Sequence, residues 1–299
     1  MILKALLDNF SSEQIKIDEP MKNHTSFRIG GTADYFVTPY NSKQVKNVID
    51  ICRSYKTPYY IIGNGSNILV RDKGFRGVII HLGKLMSEYS VKENCIIAQS
   101  GILLSKLAAV ALKNELSGLE FAAGIPGTLG GAVCMNAGAY GGEMKQVLVN
   151  AQVIDAEGNF QVLDAAKLDL SYRKSIISEK NLIVTKAEIL LNKGEYEKIK
   201  SYMQELNRQR KEKQPLEFAS AGSTFKRPEG NFAGKLIMEA GLRGYTIGGA
   251  EVSQKHCGFL INTGGATAAQ MLELIEYVQK KVNEKFGVLL EPEIKIIGE

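Results

Sequence analysis

No two of the four cysteines, Cys52, Cys95, Cys134 and Cys257, are close enough for a CxxC motif. That excludes the metal and dithiol patterns built on such spacing. The three histidines, His24, His81 and His256, are too scattered to read as a metal site, so no metal is expected. Internal repeats and low-complexity tracts are missing. The first residues, MILKALLDNF, have no long apolar core and carry Asp8, which argues against a signal peptide. One uncharged stretch, Phe121 to Gly142, is long enough to cross a bilayer. It holds seven glycines, Pro126 and Asn136, and its apolar bulk is too low for a spanning helix. No membrane insertion is expected, and four unpaired thiols fit the reducing cytoplasm. Strong net charge is lacking too. The formal value of +5 suits an anionic small molecule and does not call for nucleic acid. The densest basic run, NRQRKEK from Asn207 to Lys213, is broken by Glu212 and reads as a solvated helix face.

What is present is a soluble-protein composition, 44% hydrophobic and 23% charged over 299 residues, enough for two domains or one large one. Val45, Val48, Ile49 and Cys52 recur at helical spacing, with Ser42 as the expected cap. YYIIG, SNILV, GVIIH, NCIIAQ and NLIVTKAEILL read as strands. LLSKLAAVALKNEL reads as a helix ending near Gly118. VLVNAQVIDAEGNFQVLD reads as a hairpin about a Glu-Gly turn. Beyond Asn192 a charged helix carries an Ile199, Tyr202, Met203, Leu206 stripe. A long amphipathic helix turns Met271, Ile275, Val278, Val282 and Phe286 inward and ends at Gly287. The pattern is α+β, with a larger N-terminal part and a smaller C-terminal domain that begins near Lys193.

Two glycine-rich segments stand out. IIGNGSNILV follows a strand, and its amides from Asn64 to Asn67 can converge as an anion nest. GIPGTLGGAVCMNAGAY offers bare backbone with no lysine. Neither segment fits GxGxxG, since position 68 is Ile68, and GxxxxGK[ST] is absent, so a classical Rossmann site or P-loop is not expected. Small uncharged residues let a large flat ligand with a diphosphate lie against main chain. On composition alone each segment is equally well a plain turn between strands.

Seven motifs occur in order: NHTSFRIGG, IIGNGSNILV, FAAGIPGTLGGAVCMNAGAYGGE, LSYRKS, AGSTFKRP, AGKLIMEAGLRG and LLEPEIKIIGE. Together, over Asn23 to Glu299, the chain resembles the UDP-N-acetylenolpyruvoylglucosamine reductase family. The resemblance implies an FAD-binding domain of the vanillyl-alcohol-oxidase type, made of two α+β subdomains (residues 1–85 and 86–193). A smaller α+β substrate-binding domain (194–299) follows, its last strand returning towards the active site. It implies noncovalent FAD, NADPH as reductant, and a UDP-sugar substrate, enolpyruvyl-UDP-GlcNAc, reduced to UDP-N-acetylmuramate for peptidoglycan. No obligate protein partner is expected. The short connection from SYRKSIISEK to NLIVTKAEILL resembles the branch of the family without an inserted tyrosine-bearing loop.

Residue by residue, the resemblance places Arg173 at the substrate carboxylate, Ser223 as proton donor and Glu293 as the catalytic glutamate. A guanidinium can pair bidentately with a carboxylate. A serine hydroxyl is a poor acid unless it is polarised and placed beside the carbon. Read alone, each has an ordinary alternative: a surface arginine, a turn hydroxyl, an edge-strand carboxylate. Glu291 competes with Glu293 on the same face of an extended strand. Cofactor contacts are expected at Arg28, at Gly63, Asn64, Gly65, Ser66 and Asn67, and at Gly124, Ile125, Pro126, Gly127 and Thr128. Further ones are expected at Gly130, Gly131, Ala132, Asn136 and Gly138. Tyr172, Lys226, Lys235 and Arg243 are the substrate-binding candidates. Two rival functions remain: an FAD oxidase of the same fold acting on another alcohol or sugar, and a nucleotide- or nucleic-acid-binding module without catalysis. The Arg, Ser and Glu set disfavours the first. A basic helix near Lys211 is what motivates the second.

Overall fold

A computed structural model describes residues 1–299. Its contacts divide the chain into two interleaved units. The first comprises 1–17, 35–64 and 77–210, and the second 18–34, 65–76 and 211–299. This partition differs from the expected boundaries. Residues 194–210 go with the first unit, and parts of the first 85 residues belong to each.

The first unit is built on a five-stranded antiparallel sheet in the order Phe160–Asp164, Leu148–Ile154, Ile183–Leu190, Cys95–Gln99, Tyr89–Lys92. The hairpin about the Glu-Gly turn is present, with Gly158 at φ 86° supplying the left-handed residue. The helix Leu104–Lys113 ends well before Gly118. Leu116–Ser117 is instead a short strand paired with Asn192–Lys193. Ile96, Leu104, Leu107, Leu129, Val133 and Ile189, all at 0% exposure, form its main core. A second core lies under the helix Ser42–Ser54, whose Val45, Val48, Ile49 and Cys52 are buried as the periodicity requires. Its cap is Asn41 rather than Ser42, because the Asn41 side chain accepts the Gln44 amide at 2.9 Å. Burial pushes the Cys52 thiol up to about 12, as expected of an inert structural cysteine. In the helix Tyr196–Lys213, Ile199 and Leu206 are buried. Tyr202 is half exposed, so the expected stripe is narrower than it reads.

One buried group in this unit is unsatisfied. The Ser100 hydroxyl is at 0% exposure with no hydrogen-bond partner. An unpaired buried hydroxyl costs about 1–3 kcal/mol. Ser100→Ala is therefore expected to stabilise the protein by about 1 kcal/mol, raising the thermal midpoint by about 2 °C. A lowered midpoint by calorimetry would show that the hydroxyl has a partner after all.

In the second unit, the antiparallel strands Thr246–Ile247, Ala250–Val252 and Leu260–Asn262 form a small sheet. The helix Ala268–Phe286 buries Met271, Leu274, Ile275, Val278 and Val282 and ends at Gly287 with φ 68°. Thr267 caps its start, and the Asp72 carboxylate accepts the Ala268 and Ala269 amides at 2.7 and 2.8 Å. Phe27, Ile29 and Leu69 complete this core. The strand Lys295–Ile297 pairs in parallel with Ile68–Val70.

Candidate active site

The first glycine loop leaves the strand Tyr59–Ile62. None of the four amides from Asn64 to Asn67 donates to a protein acceptor. Four successive unpaired N–H groups fit a ligand with acceptor oxygens, since main-chain donors are otherwise satisfied. In the first unit the Asn64 side chain donates to the Pro126 carbonyl at 2.6 Å, and a Cβ on Gly63 would lie 2.2 Å from Thr128 Oγ1. The two glycine segments are thus in contact there, each through one side chain against the other's backbone. In the second unit Gly65 has φ 60°, and a Cβ on it would lie 1.9 Å from the His24 carbonyl oxygen. Asn67 accepts the Lys295 amide at 2.9 Å, and its side chain donates to the Glu293 carbonyl at 3.2 Å. That amide serves the protein's last strand as well as its loop.

The second glycine segment is less of a loop than its composition suggests. Leu129–Cys134 is a short helix, and Gly138–Ala139 pairs with Gly142–Glu143. Main-chain bonds stitch the segment to residues 100–104: Leu104 N–H to Gly127 O, Leu129 N–H to Ile102 O and Gly130 N–H to Ser100 O, at 2.8–3.0 Å. A Cβ on Gly130 would lie 2.8 Å from Ser100 Cβ, so Gly130 is required by packing. Gly131 is exposed and its position is roomy. Both kinds of glycine leave main chain uncovered, as a flat ligand needs.

The LSYRKS motif is a tight turn closed by both Ser171–Lys174 main-chain bonds. Arg173 sits in it at φ 56°, a conformation that favours glycine or asparagine. Its guanidinium donates to the Gly138 carbonyl at 3.3 Å and lies over the Tyr172 ring, 5.2 Å from the centroid. Tyr172 is exposed. Asn136 also has positive φ, 41°, and is 1% exposed. Its amide donates to Glu143 Oε2 at 3.0 Å and to the Ser171 carbonyl at 3.2 Å, while its oxygen accepts the Lys145 amide at 2.9 Å. Both side-chain donors are committed inside the protein.

In the second unit two catalytic candidates lie on adjoining extended segments joined by one isolated bridge. A bridge pairs Phe225 with Pro292, the Glu293 amide donates to Thr224 O, and the Lys226 amide donates to Glu291 O, both at 2.8 Å. Ser223 is exposed, one residue before buried Thr224, and Glu293 is half exposed. The Lys226 ammonium is ion-paired with the Glu291 carboxylate, so the competitor glutamate is occupied by a lysine. Lys235 pairs with Glu239 at 3.8 Å on its own helix, and Arg243 donates to the Gln254 carbonyl at 2.6 Å. Arg28 is exposed at φ 56° between buried Phe27 and Ile29. His256 is structural: its Nδ1 accepts the Gly258 amide, and burial lowers its pKa. No cluster of side chains could hold a metal.

Sequence reading overlooked Arg210. It lies in the NRQRKEK run, but its guanidinium is largely desolvated, which lowers its pKa, and it packs over Gly124 near Tyr140. No carboxylate pairs with it. The signal was available: Arg210 continues the Ile199, Met203, Leu206 stripe at spacings of four, three and four, where an apolar residue is expected.

An "FAD binding domain" family model matches residues 33–164, and a "UDP-N-acetylenolpyruvoylglucosamine reductase, C-terminal domain" model matches 214–297. UDP-N-acetylenolpyruvoylglucosamine reductase of Clostridioides difficile is 54% identical over 98% of this chain and 97% of its own length. That of Caldanaerobacter subterraneus is 54% identical over 100% and 99%. The crystal structure of the Thermus caldophilus reductase matches with TM-score 0.82 and 35% identity, covering 95% of this chain and 98% of that one. Alkyldihydroxyacetonephosphate synthase shares the fold over 64% of this chain and 40% of its own, with TM-score 0.50 and 18% identity. The fold is the expected α+β one, with an FAD-binding domain of the vanillyl-alcohol-oxidase type. With more than half of its residues identical over nearly the whole length, the chain belongs to the UDP-N-acetylenolpyruvoylglucosamine reductase family.

Proposed function

We propose that this protein is an FAD- and NADPH-dependent oxidoreductase that reduces enolpyruvyl-UDP-GlcNAc to UDP-N-acetylmuramate in peptidoglycan precursor synthesis, working in the cytoplasm. The observation that carries the reading is the 54% identity to named reductases over 98–100% of the chain. Four unpaired amides from Asn64 to Asn67 support a diphosphate-bearing cofactor. No helix is long and apolar enough to cross a membrane.

When bound, FAD supplies a two-electron carrier between NADPH and the vinyl group of the substrate. In this reading the loops 63–67 and 124–132 hold the cofactor by main chain, with Arg210 adding the positive charge those loops lack. Arg173 pairs with the substrate carboxylate, where negative charge grows as hydride reaches the neighbouring methylene carbon. Ser223 then gives a proton to the carbon that carries the charge, and Glu293 acts beside it. Tyr172, Lys226, Lys235 and Arg243 are assigned to the substrate. Lys226 exchanges Glu291 for an anionic group when substrate binds. We assign the cofactor to residues 1–193 and the substrate to 194–299. The chain is placed in the branch without the inserted tyrosine loop, a reading supported by the three residues that separate the helix Ile176–Glu179 from the strand Ile183–Leu190.

The test is the visible spectrum of the purified protein, recorded again after anaerobic NADPH and after the enolpyruvyl sugar nucleotide. Flavin bands that bleach with NADPH and return with that substrate are expected. Bands that return only with oxygen would replace the reductase by an oxidase of the same fold. No flavin after incubation with FAD would overturn the reading altogether.

A further inference from the structure

Arg173 stands in a backbone conformation that its turn must hold. Its φ of 56° is one that L side chains rarely adopt, and its guanidinium donates to the Gly138 carbonyl at 3.3 Å. Besides the two Ser171–Lys174 main-chain bonds, a neighbour in space ties the turn down. Asn136 donates to the Ser171 carbonyl, the first residue of that turn, from a site with 1% exposure. Its second amide proton goes to Glu143 Oε2, and its oxygen accepts the Lys145 amide. Glu143 lies opposite Gly138 in the short hairpin, so the clamp and the guanidinium's acceptor belong to one rigid piece.

We propose that Asn136 is a positioning residue for Arg173, setting the angle at which the guanidinium meets the substrate carboxylate. This rests on the role given to Arg173 above. The chemistry of the site explains the residue type. Two donors and one acceptor are needed on a short planar group, attached to a backbone at φ 41°. Asparagine meets all of these and tolerates left-handed backbone. Aspartate has no donors, and glutamine is one methylene too long.

The decisive variant is Asn136→Asp, which keeps size and acceptor but removes both donors. The introduced carboxylate would face Glu143 and the Ser171 carbonyl, with Arg173 and Lys145 as the nearby cations. Protonation restores one O–H donor. Stopped-flow absorbance should separate the two half-reactions. Flavin reduction by NADPH is expected within about twofold of wild type. Reoxidation by the enolpyruvyl substrate is expected to slow by about 10- to 100-fold at pH 8, the scale of a small misplacement of a reacting group. Relative to wild type at each pH, it should recover as the pH falls to 6. Asn136→Ser, which cannot titrate, should show the slowing without the recovery, and it serves if the aspartate variant does not fold. In an Arg173→Ala background Asn136→Asp should add nothing. Equal losses in both half-reactions, or full additivity with Arg173→Ala, would overturn the proposal. Arg173→Ala with normal reoxidation would instead overturn the role of Arg173 itself.

Discussion

Ser223→Ala is expected to leave flavin bleaching by NADPH at the wild-type rate and to slow reoxidation by the enolpyruvyl substrate by about 10²- to 10⁴-fold, the usual range for a lost proton donor. The argument is chemical. Hydride leaves NADPH without any proton being delivered to carbon, so the first half-reaction makes no demand on Ser223. The second ends with a carbon–hydrogen bond formed by protonation, and no other hydroxyl is assigned there. Ser223 is exposed beside Gly222, whose φ is 75°, so removing the oxygen disturbs no packing. Rapid-mixing absorbance near 450 nm reads both steps in one sample (a wavelength chosen as roughly that of the flavin band). A variant slow with NADPH and normal with the sugar nucleotide would remove Ser223 from the role.

Gly65→Ala is expected to be among the most damaging single methyl groups in the chain. At φ 60° an alanine pays about 1–2 kcal/mol for left-handed backbone. Its Cβ would also lie 1.9 Å from the His24 carbonyl oxygen, and a carbonyl cannot swing aside as a side chain can. Because Ser26 donates its amide to Gly65 O at 3.1 Å, any retreat breaks that bond too. A total above about 4 kcal/mol puts the change in the exceptional class, with loss of bound flavin. Gly230→Ala is the control. Its φ of 68° is similar, but nothing lies within 4 Å, so only about 1–2 kcal/mol is at stake. Equal urea midpoints for the two variants would show that the crowding at Gly65 is relieved at no cost.

How legible the fold was depends on whether its causes are local. The helix Ala268–Phe286 was readable end to end, because its stripe and its Gly287 cap are all written within its own residues. So were the hairpin Leu148–Asp164 and the motifs that carry the family resemblance. The helix Leu129–Cys134 was not. Glycine disfavours helix, and the segment is held by residues 100–104. Asn67 and Asn136 look like loop amides facing a ligand. Their side chains are spent on Glu293 and Ser171, partners 226 and 35 positions away. Arg210 hid in a basic run because charge composition outweighed a stripe that ran straight through it. The interleaving of the units could not be read at all, since no local pattern marks which distant segment a strand will join.

The parallel pairing of Lys295–Ile297 with Ile68–Val70 bears on how the protein is made. A ribosome delivers Phe27, Ile29 and Leu69 early, yet the helix that covers them and the strand that pairs beside Leu69 emerge only in the last stretch of translation. The first unit can begin to close on the nascent chain, while the second must wait with apolar groups uncovered. Such distant closure is slow and exposes the waiting segment to aggregation and to chaperones. The same late segment brings the Glu293 carbonyl and the Lys295 amide to Asn67, so a chain interrupted or clipped before them leaves its glycine loop unfastened there.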